Sequence, residues 1–289
     1  MIVVTGATGH LGRLVIAALL RKMPASGIVA AVRNGEKARN LAKTGIGIRL
    51  ADYNQPQTWD GALKGADKVL LISSSEVGQR ARQHRSVVDA ARRAGVKLLA
   101  YTSILRADTS PLGLAAEHDE TEAMIRASGI PFTFLRNGWY TENYTAGIPA
   151  ILERGAVYGC AGTGRISSAE RIDYAEAAVA ALTGDNQAGK VYELAGDSAF
   201  TLTELAMEIS RQSGKNIGYV NLTESDYRDA LLKAGLPEPF AALLADSDTG
   251  ISKGALFDDS HQLSRLINRP TTPLALSIAA AIQAGKKRK

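Results

Sequence analysis

The chain has 289 residues, enough for one large α/β domain or for a large and a small one. With 45% hydrophobic and 22% charged residues it has the composition of a soluble globular protein, and no apolar run reaches the ~18 residues of a membrane helix. The net charge of +5 sits largely in the tail Lys286, Lys287, Arg288 and Lys289, and no basic–aromatic motif accompanies it, so nucleic acid is not an expected partner. The single cysteine, Cys160, excludes an internal disulfide and suits a reducing cytoplasm, and a core strand beginning at residue 2 leaves no place for a signal peptide. His10, His84, His118 and His261 show no metal-ligand spacing, and no metal is expected.

The first element is a strand over residues 2–5 that runs into a glycine turn, Thr5-Gly6-Ala7-Thr8-Gly9-His10-Leu11-Gly12. Leu11, Leu14, Val15, Ala18 and Leu19 then recur at helical spacing over 11–22. Strand, glycine turn and helix N-terminus together build a diphosphate site, because backbone N–H groups and the helix dipole face the anion. Residues 6–12 are therefore candidate cofactor contacts. The spacing Gly6-x-x-Gly9-x-x-Gly12 resembles the signature of extended and atypical short-chain dehydrogenases, including the NmrA-like group, rather than the common G-x-G-x-x-G. The second strand, 27–32, ends at Arg33, where a carboxylate would favour NAD. An arginine fork there suits the 2′-phosphate of NADP. After the third strand (46–50), Asp52 is either an adenine contact or a cap for the following turn. After the fourth (68–72), Ser73, Ser74 and Ser75 sit where the nucleotide passes. Strands over 96–101 and 131–135 and helices over 35–43, 78–94 and 115–128 complete an alternating pattern.

These elements predict an α/β fold: a Rossmann-type, doubly wound parallel sheet with a smaller C-terminal α/β lobe. The cofactor domain is expected over 1–136. The remainder, 137–289, is expected to be mainly a substrate lobe covering the cofactor crevice, with some segments returning to the sheet. Later strands are read near 156–158, 190–194 and 217–221, and helices near 173–182, 201–213, 224–234 and 261–267. No internal repeat is evident.

Short-chain dehydrogenases usually carry a Tyr-x-x-x-Lys pair, tyrosine as acid/base with lysine lowering its pKa. None of the nine tyrosines has lysine four positions on. The corresponding helix carries His118 and Glu122, one turn apart, which form a candidate acid/base couple or simply part of an acidic first turn. The absence narrows the chemistry. Reducing a simple ketone leaves an alkoxide nearly as basic as hydroxide, its acid at ~15.7 like water, so a positioned acid matters. Reducing a quinone leaves a phenolate, whose acid lies near ~10, within reach of neutral donors and solvent. Quinone reduction therefore fits better than alcohol oxidation; a protein that only senses NADP fits as well. The segment after the sixth strand, Asn137-Gly138-Trp139-Tyr140-Thr141-Glu142-Asn143-Tyr144, offers amides and flat aromatic faces to cofactor and acceptor.

Longer segments then carry a resemblance. Leu70–Arg80 (LLISSSEVGQR), Ala100–Ile104 with Ala107–His118 (ADTSPLGLAAEH), Leu135–Tyr144 (LRNGWYTENY), Val191–Asp197 (VYELAGD) and Leu244–Asp259 (LADSDTGISKGALFDD) are similar to the bacterial NAD(P)H:quinone oxidoreductases of the NmrA-like, atypical short-chain dehydrogenase type. That likeness implies a cytoplasmic, flavin-free enzyme taking NADPH at Gly6–Gly12, Arg33, Ser73–Ser75 and Asn137–Glu142. It implies acceptor handling by Asn143 first, with Asn137, Tyr140 and His118 beside it. A quinone or similar small aromatic acceptor is the expected substrate, and dyes or a non-enzymatic NADP-sensing role are the alternatives. A homodimer is the assembly considered.

Overall fold

The computed structural model describes residues 1–286; of the basic tail, Lys287, Arg288 and Lys289 lie outside it. The chain divides into two compact units, the first formed by Met1–Asp108, Ala116–Asn137 and Arg171–Leu194. The first unit is a seven-stranded parallel sheet with flanking helices: β1 (Ile2–Val4), α1 (His10–Leu20), β2 (Ile28–Val32), α2 (Arg39–Ala42), β3 (Gly47–Leu50), α3 (Thr58–Leu63), β4 (Lys68–Leu71), α4 (Arg80–Arg93), β5 (Leu98–Ile104), α5 (Ala115–Ala127) and β6 (Phe132–Asn137). The chain later returns with α8 (Arg171–Thr183) and β8 (Lys190–Leu194). The strand order is β3-β2-β1-β4-β5-β6-β8. β1, β2 and β5 are buried along their whole lengths, as expected of parallel strands covered on both faces. The order reverses direction between β1 and β4. In such a sheet the crevice for a ligand opens at the carboxyl ends of those two strands.

Two local differences from the sequence reading have clear causes. β5 runs on to Ile104 instead of stopping at Tyr101, although Thr102 and Ser103 look like loop residues. Both are buried and bonded: Thr102 accepts the Ser73 N–H at 2.8 Å, and Ser103 donates to Glu122 at 2.6 Å. The helix expected over 35–43 is a 3-10 turn, Glu36–Ala38, followed by the single turn of α2. Asn34 explains the tight start, since its side-chain oxygen accepts from the Glu36 N–H at 2.8 Å.

The second unit comprises Thr109–Ala115, Gly138–Glu170 and the described residues from Ala195 onward. It holds α6 (Glu142–Thr145), α7 (Ile148–Arg154), β7 (Ala156–Gly159), α9 (Leu202–Ser213), β9 (Gly218–Asn221), α10 (Glu224–Lys233), α11 (Glu238–Ser252), α12 (Gln262–Ile267) and α13 (Leu274–Lys286). β7 and β9 pair in parallel as a separate two-stranded sheet. Of the helices that the sequence pattern does not predict, α11 is hidden by composition. α11 contains Asp246, Ser247, Asp248, Thr249 and Gly250, all poor helix formers. Gly250 leaves room for Leu112, whose Cδ2 would lie 2.3 Å from a Cβ there and would have to shift. No helix of the described residues is long and apolar enough to cross a membrane.

In the core of the first unit, Phe134 is fully buried, stacked on Phe132 with ring centroids 4.3 Å apart and edge-on to Tyr101. Phe134→Ala is expected to lower the free energy of unfolding by ~3–5 kcal/mol. Urea denaturation followed by circular dichroism checks this, and a loss below about 1 kcal/mol would show that the neighbouring rings close the gap.

Candidate active site

The glycine turn brings α1 unusually close to the end of β1. A Cβ on Gly12 would lie 2.4 Å from the Gly6 carbonyl oxygen and 2.7 Å from Ala7 Cα, so only glycine permits this approach. Gly6 has φ +57°, the left-handed region, and Gly9 donates its N–H to Gly6 at 2.9 Å. The first helical bond is from Arg13 N–H to the Gly9 carbonyl, and no side chain caps the helix. The amides of residues 10–12 thus stand outside the helix's own ladder at its positive end.

These groups line a cavity of about 440 Å³ together with Arg33, Tyr53, Ile72, Ser73, Ser74, Ser75 and Glu76. That volume falls in the range of small-molecule sites. Of the sequence candidates, Gly6, Thr8, Gly9, His10, Leu11, Gly12, Arg33 and the three serines all lie in its lining. Ala7 does not; it is fully buried beneath the turn, where α1 packs. Of the two roles open to Asp52, the structure shows the cap: its carboxylate accepts the Asn54 N–H at 2.9 Å, and the cavity takes Ala51 and Tyr53 on either side of it. Arg33 is exposed, with a long contact of 3.5 Å to Glu76, which leaves its guanidinium available for a stronger anion.

Tyr53 was invisible to the sequence reading. Its ring stacks on Trp59 at 5.3 Å, and its hydroxyl donates to the Ile72 carbonyl at 3.0 Å while lying 2.9 Å from the Thr5 hydroxyl. Thr5 in turn accepts the Ile72 N–H at 2.9 Å. These bonds tie the ends of β1 and β4 together across the switch point. Burial pushes the Tyr53 phenol up to about 12, so it remains a neutral structural bond.

The serine loop is held from behind. His84 Nε2 accepts the Ser74 N–H at 3.0 Å, which fixes the proton on Nδ1, and Nδ1 faces Thr121 Oγ1 at 3.0 Å. The Ser74 hydroxyl bonds Gln83, and Arg80 donates to the Ser74 carbonyl at 2.9 Å while pairing with Glu117. The N–H, carbonyl and hydroxyl of Ser74 are thus all engaged, and the residue fixes the shape of the loop.

His118 and Glu122 do not form the expected couple. Burial holds the imidazole of His118 well below its usual range, and its Nδ1 sits 2.8 Å from the Tyr101 hydroxyl. Glu122 is committed elsewhere: it accepts from Ser103 at 2.6 Å and from Arg136 at 2.7 and 2.9 Å. Arg136 also reaches Glu193 at 2.9 Å and Asp108 at 3.0 Å. Burial opposes the charge of Arg136, but these carboxylates outweigh it and hold the group protonated. The next residue, Asn137, ends β6 with a buried side-chain oxygen that has no hydrogen-bond partner. Such an orphan acceptor is what a ligand amide or hydroxyl would satisfy.

In the second unit, Gly138 is buried, Trp139 and Tyr140 are half-buried, and the Thr141 hydroxyl is closed off against Ser168 at 2.8 Å. Glu142 opens α6, and Asn143 is exposed and lines a cavity of that unit. Among the described residues, no group of three or more His, Cys, Asp or Glu is placed to hold a metal.

The model of the NmrA-like family matches residues 1–272. The chain belongs to the NmrA-like family. Within it, the chain is 59% identical to quinone oxidoreductase 2 of Escherichia coli (strain K12) over 96% of this chain and 98% of that protein. Its fold overlays the crystal structure of the Escherichia coli NADPH-dependent quinone oxidoreductase complexed with NADPH with a TM-score of 0.96, at 58% identity, covering 98% and 100% of the two chains. It also overlays the NADP(H) complex of a Citrobacter triphenylmethane reductase with a TM-score of 0.94, at 42% identity, covering 97% and 100%.

The His84 bond gives this NmrA-like chain a specific acid sensitivity. Burial holds its imidazole down at about 3, against ~6.5 in the unfolded chain, so the unfolded state takes the proton first as pH falls. Stability is full above pH ~6.5 and is lost progressively toward pH 3. Between pH 7 and pH 5 His84 alone should remove about 2 kcal/mol. Urea midpoints at the two pH values measure the loss, and His84→Gln should flatten the slope; an unchanged slope would place the sensitivity elsewhere.

Proposed function

We propose that the chain is an NADPH-dependent quinone oxidoreductase that works without flavin on quinones or closely similar conjugated aromatic acceptors. The observation that carries this reading is 59% identity over nearly the full length to Escherichia coli quinone oxidoreductase 2, on a chain whose own glycine cradle fits a dinucleotide. NADPH, when bound, supplies the hydride. The amides of residues 10–12 and the α1 dipole hold the diphosphate, with Gly6 and Gly9 permitting close approach. Arg33 takes the 2′-phosphate, exchanging its weak contact with Glu76 for a charge-assisted one. Ser73 and Ser75 line the ribose side, and the orphan oxygen of Asn137 accepts a hydrogen bond from the ligand.

The same reading gives Asn137 and Asn143 the task of orienting the acceptor oxygen, and Trp139 and Tyr140 that of flanking its ring. Gly138, Thr141 and Glu142 then contribute backbone to the cofactor wall. His118, neutral and bonded to Tyr101, orients rather than delivering a charged proton. The rate rests on orientation and neutral donors, as a phenolate product allows. Likeness to the triphenylmethane reductase supports dyes as a second acceptor class. The single buried cysteine supports a cytoplasmic setting.

The deciding experiment follows NADPH oxidation with benzoquinone or menadione, using protein shown to be free of flavin. Saturable turnover is expected; NADPH binding without turnover above background would leave a sensor in place of an enzyme. Arg33→Asp should weaken NADPH binding about 10–100-fold, the loss of a charge-assisted bond, while NADH binding changes far less. Equal losses for both cofactors would remove the 2′-phosphate role.

A further inference from the structure

The second unit contains a cavity of about 220 Å³ that none of the bonds described so far explains. Its walls are largely apolar, with Ile151 from α7, Val157 from β7, Leu202 and Leu205 from α9 and Leu231 from α10. Set into this surface is Asp248 of α11, only 8% exposed. Its Oδ2 accepts the Cys160 N–H at 2.9 Å, and no lysine, arginine or histidine among the described residues pairs with it. Gly159 leaves room beside this carboxylate: a Cβ there would lie 2.5 Å from Oδ2 and 2.7 Å from Leu202 Cδ1. A second polar group is also left over. The ring of Tyr144 lines the cavity, and its buried hydroxyl has no hydrogen-bond partner.

A buried carboxylate with one backbone donor and no counter-ion is costly and normally neutralised or paired. Burial does push Asp248 up, to about 6, which still leaves it charged at neutral pH. The missing partner is a positive charge on a molecule small enough to fill an apolar cavity. We propose that this cavity is a binding site for a small protonated amine with an apolar body, its ammonium on Asp248 and its hydrocarbon against Ile151, Val157, Leu202 and Leu205. The site does not rest on the reductase reading, although Asn143 lies in its lining.

The other titratable or charged groups around Asp248 are Tyr144 of α6, Arg154 of α7, Cys160 after β7, Tyr219 of β9, and Glu224 and Tyr227 of α10. Burial raises both the three phenols and the thiol, with the Asp248 charge adding to it, so all four stay neutral below pH 8. Arg154 is exposed at the rim, where solvent screens it. Of the charged groups lining the cavity, Asp248 is thus the one that changes state between pH 8 and pH 5, while an alkyl ammonium (near ~10.4 for lysine) remains protonated.

The test uses the full chain with saturating NADPH at pH 8 and titrates 2-phenylethylamine by calorimetry, with 2-phenylethanol as the uncharged counterpart. The amine should bind saturably and at least about tenfold more tightly than the alcohol, a difference of about 1.4 kcal/mol. Asp248→Asn should abolish that preference while leaving NADPH binding and quinone turnover unchanged. Because the variant could misfold, the wild-type protein is also titrated at pH 5, where amine affinity should drop about tenfold and alcohol affinity should not. Absence of saturable amine binding, equal affinity for amine and alcohol, or an affinity indifferent to pH overturns the proposal.

Discussion

The approach of α1 to the turn after β1 is the constraint on which the candidate site depends. Gly12 lies so near the Gly6 carbonyl that a single methyl group would push the helix away. Held there, α1 presents uncapped amides to the crevice where strand order reverses, and its dipole adds partial positive charge at the same place. No cationic side chain is needed to build that anion site. Side-chain positive charge is added one strand over by Arg33, exposed in the cavity lining with a 3.5 Å contact to Glu76.

Around this cradle the protein spends buried polar bonds on positioning. Thr5, Tyr53 and Ile72 lock the two central strand ends; Ser74, His84 and Thr121 lock the serine loop; Arg136 with Glu122, Glu193 and Asp108 locks the end of β6. Each network is satisfied within itself, so removing one member strands the others in low dielectric. The Asn137 oxygen, beside the third network at the end of β6, is left without a hydrogen-bond partner.

Much of the frame was legible because parallel strands leave continuous apolar runs and glycine turns have few alternatives. That Gly6, Gly9, Gly12, Arg33 and the serine loop gather at one cavity follows from local pattern alone. The role of Asp52 does not, because a carboxylate after a strand caps a turn or meets a ligand with the same sequence signal, and only the Asn54 bond decides. Tyr53, its neighbour, was missed for the opposite reason: its role depends on Thr5 and Ile72, distant in sequence. The same holds for Thr102 and Ser103, polar residues that belong to a buried strand only because partners from elsewhere satisfy them. Asp248 lay within a segment quoted for its family likeness, yet its isolation from any cation is a property of three dimensions.

The replacement of the tyrosine–lysine pair carries the last step. The sequence holds no such pair, and the structure shows what His118 and Glu122 of α5 bond to. Glu122 neutralises Arg136, and His118 is held neutral against Tyr101, whose own phenol burial drives upward. None of these groups holds a proton that it would readily release near neutral pH. An acceptor that develops a strongly basic alkoxide would therefore find no matched acid here, whereas a quinone generates an oxygen that solvent and amide donors can stabilise. In this chain α5 serves as scaffolding through His118 and Glu122, and the chemistry of a quinone acceptor makes the lack of a matched acid tolerable.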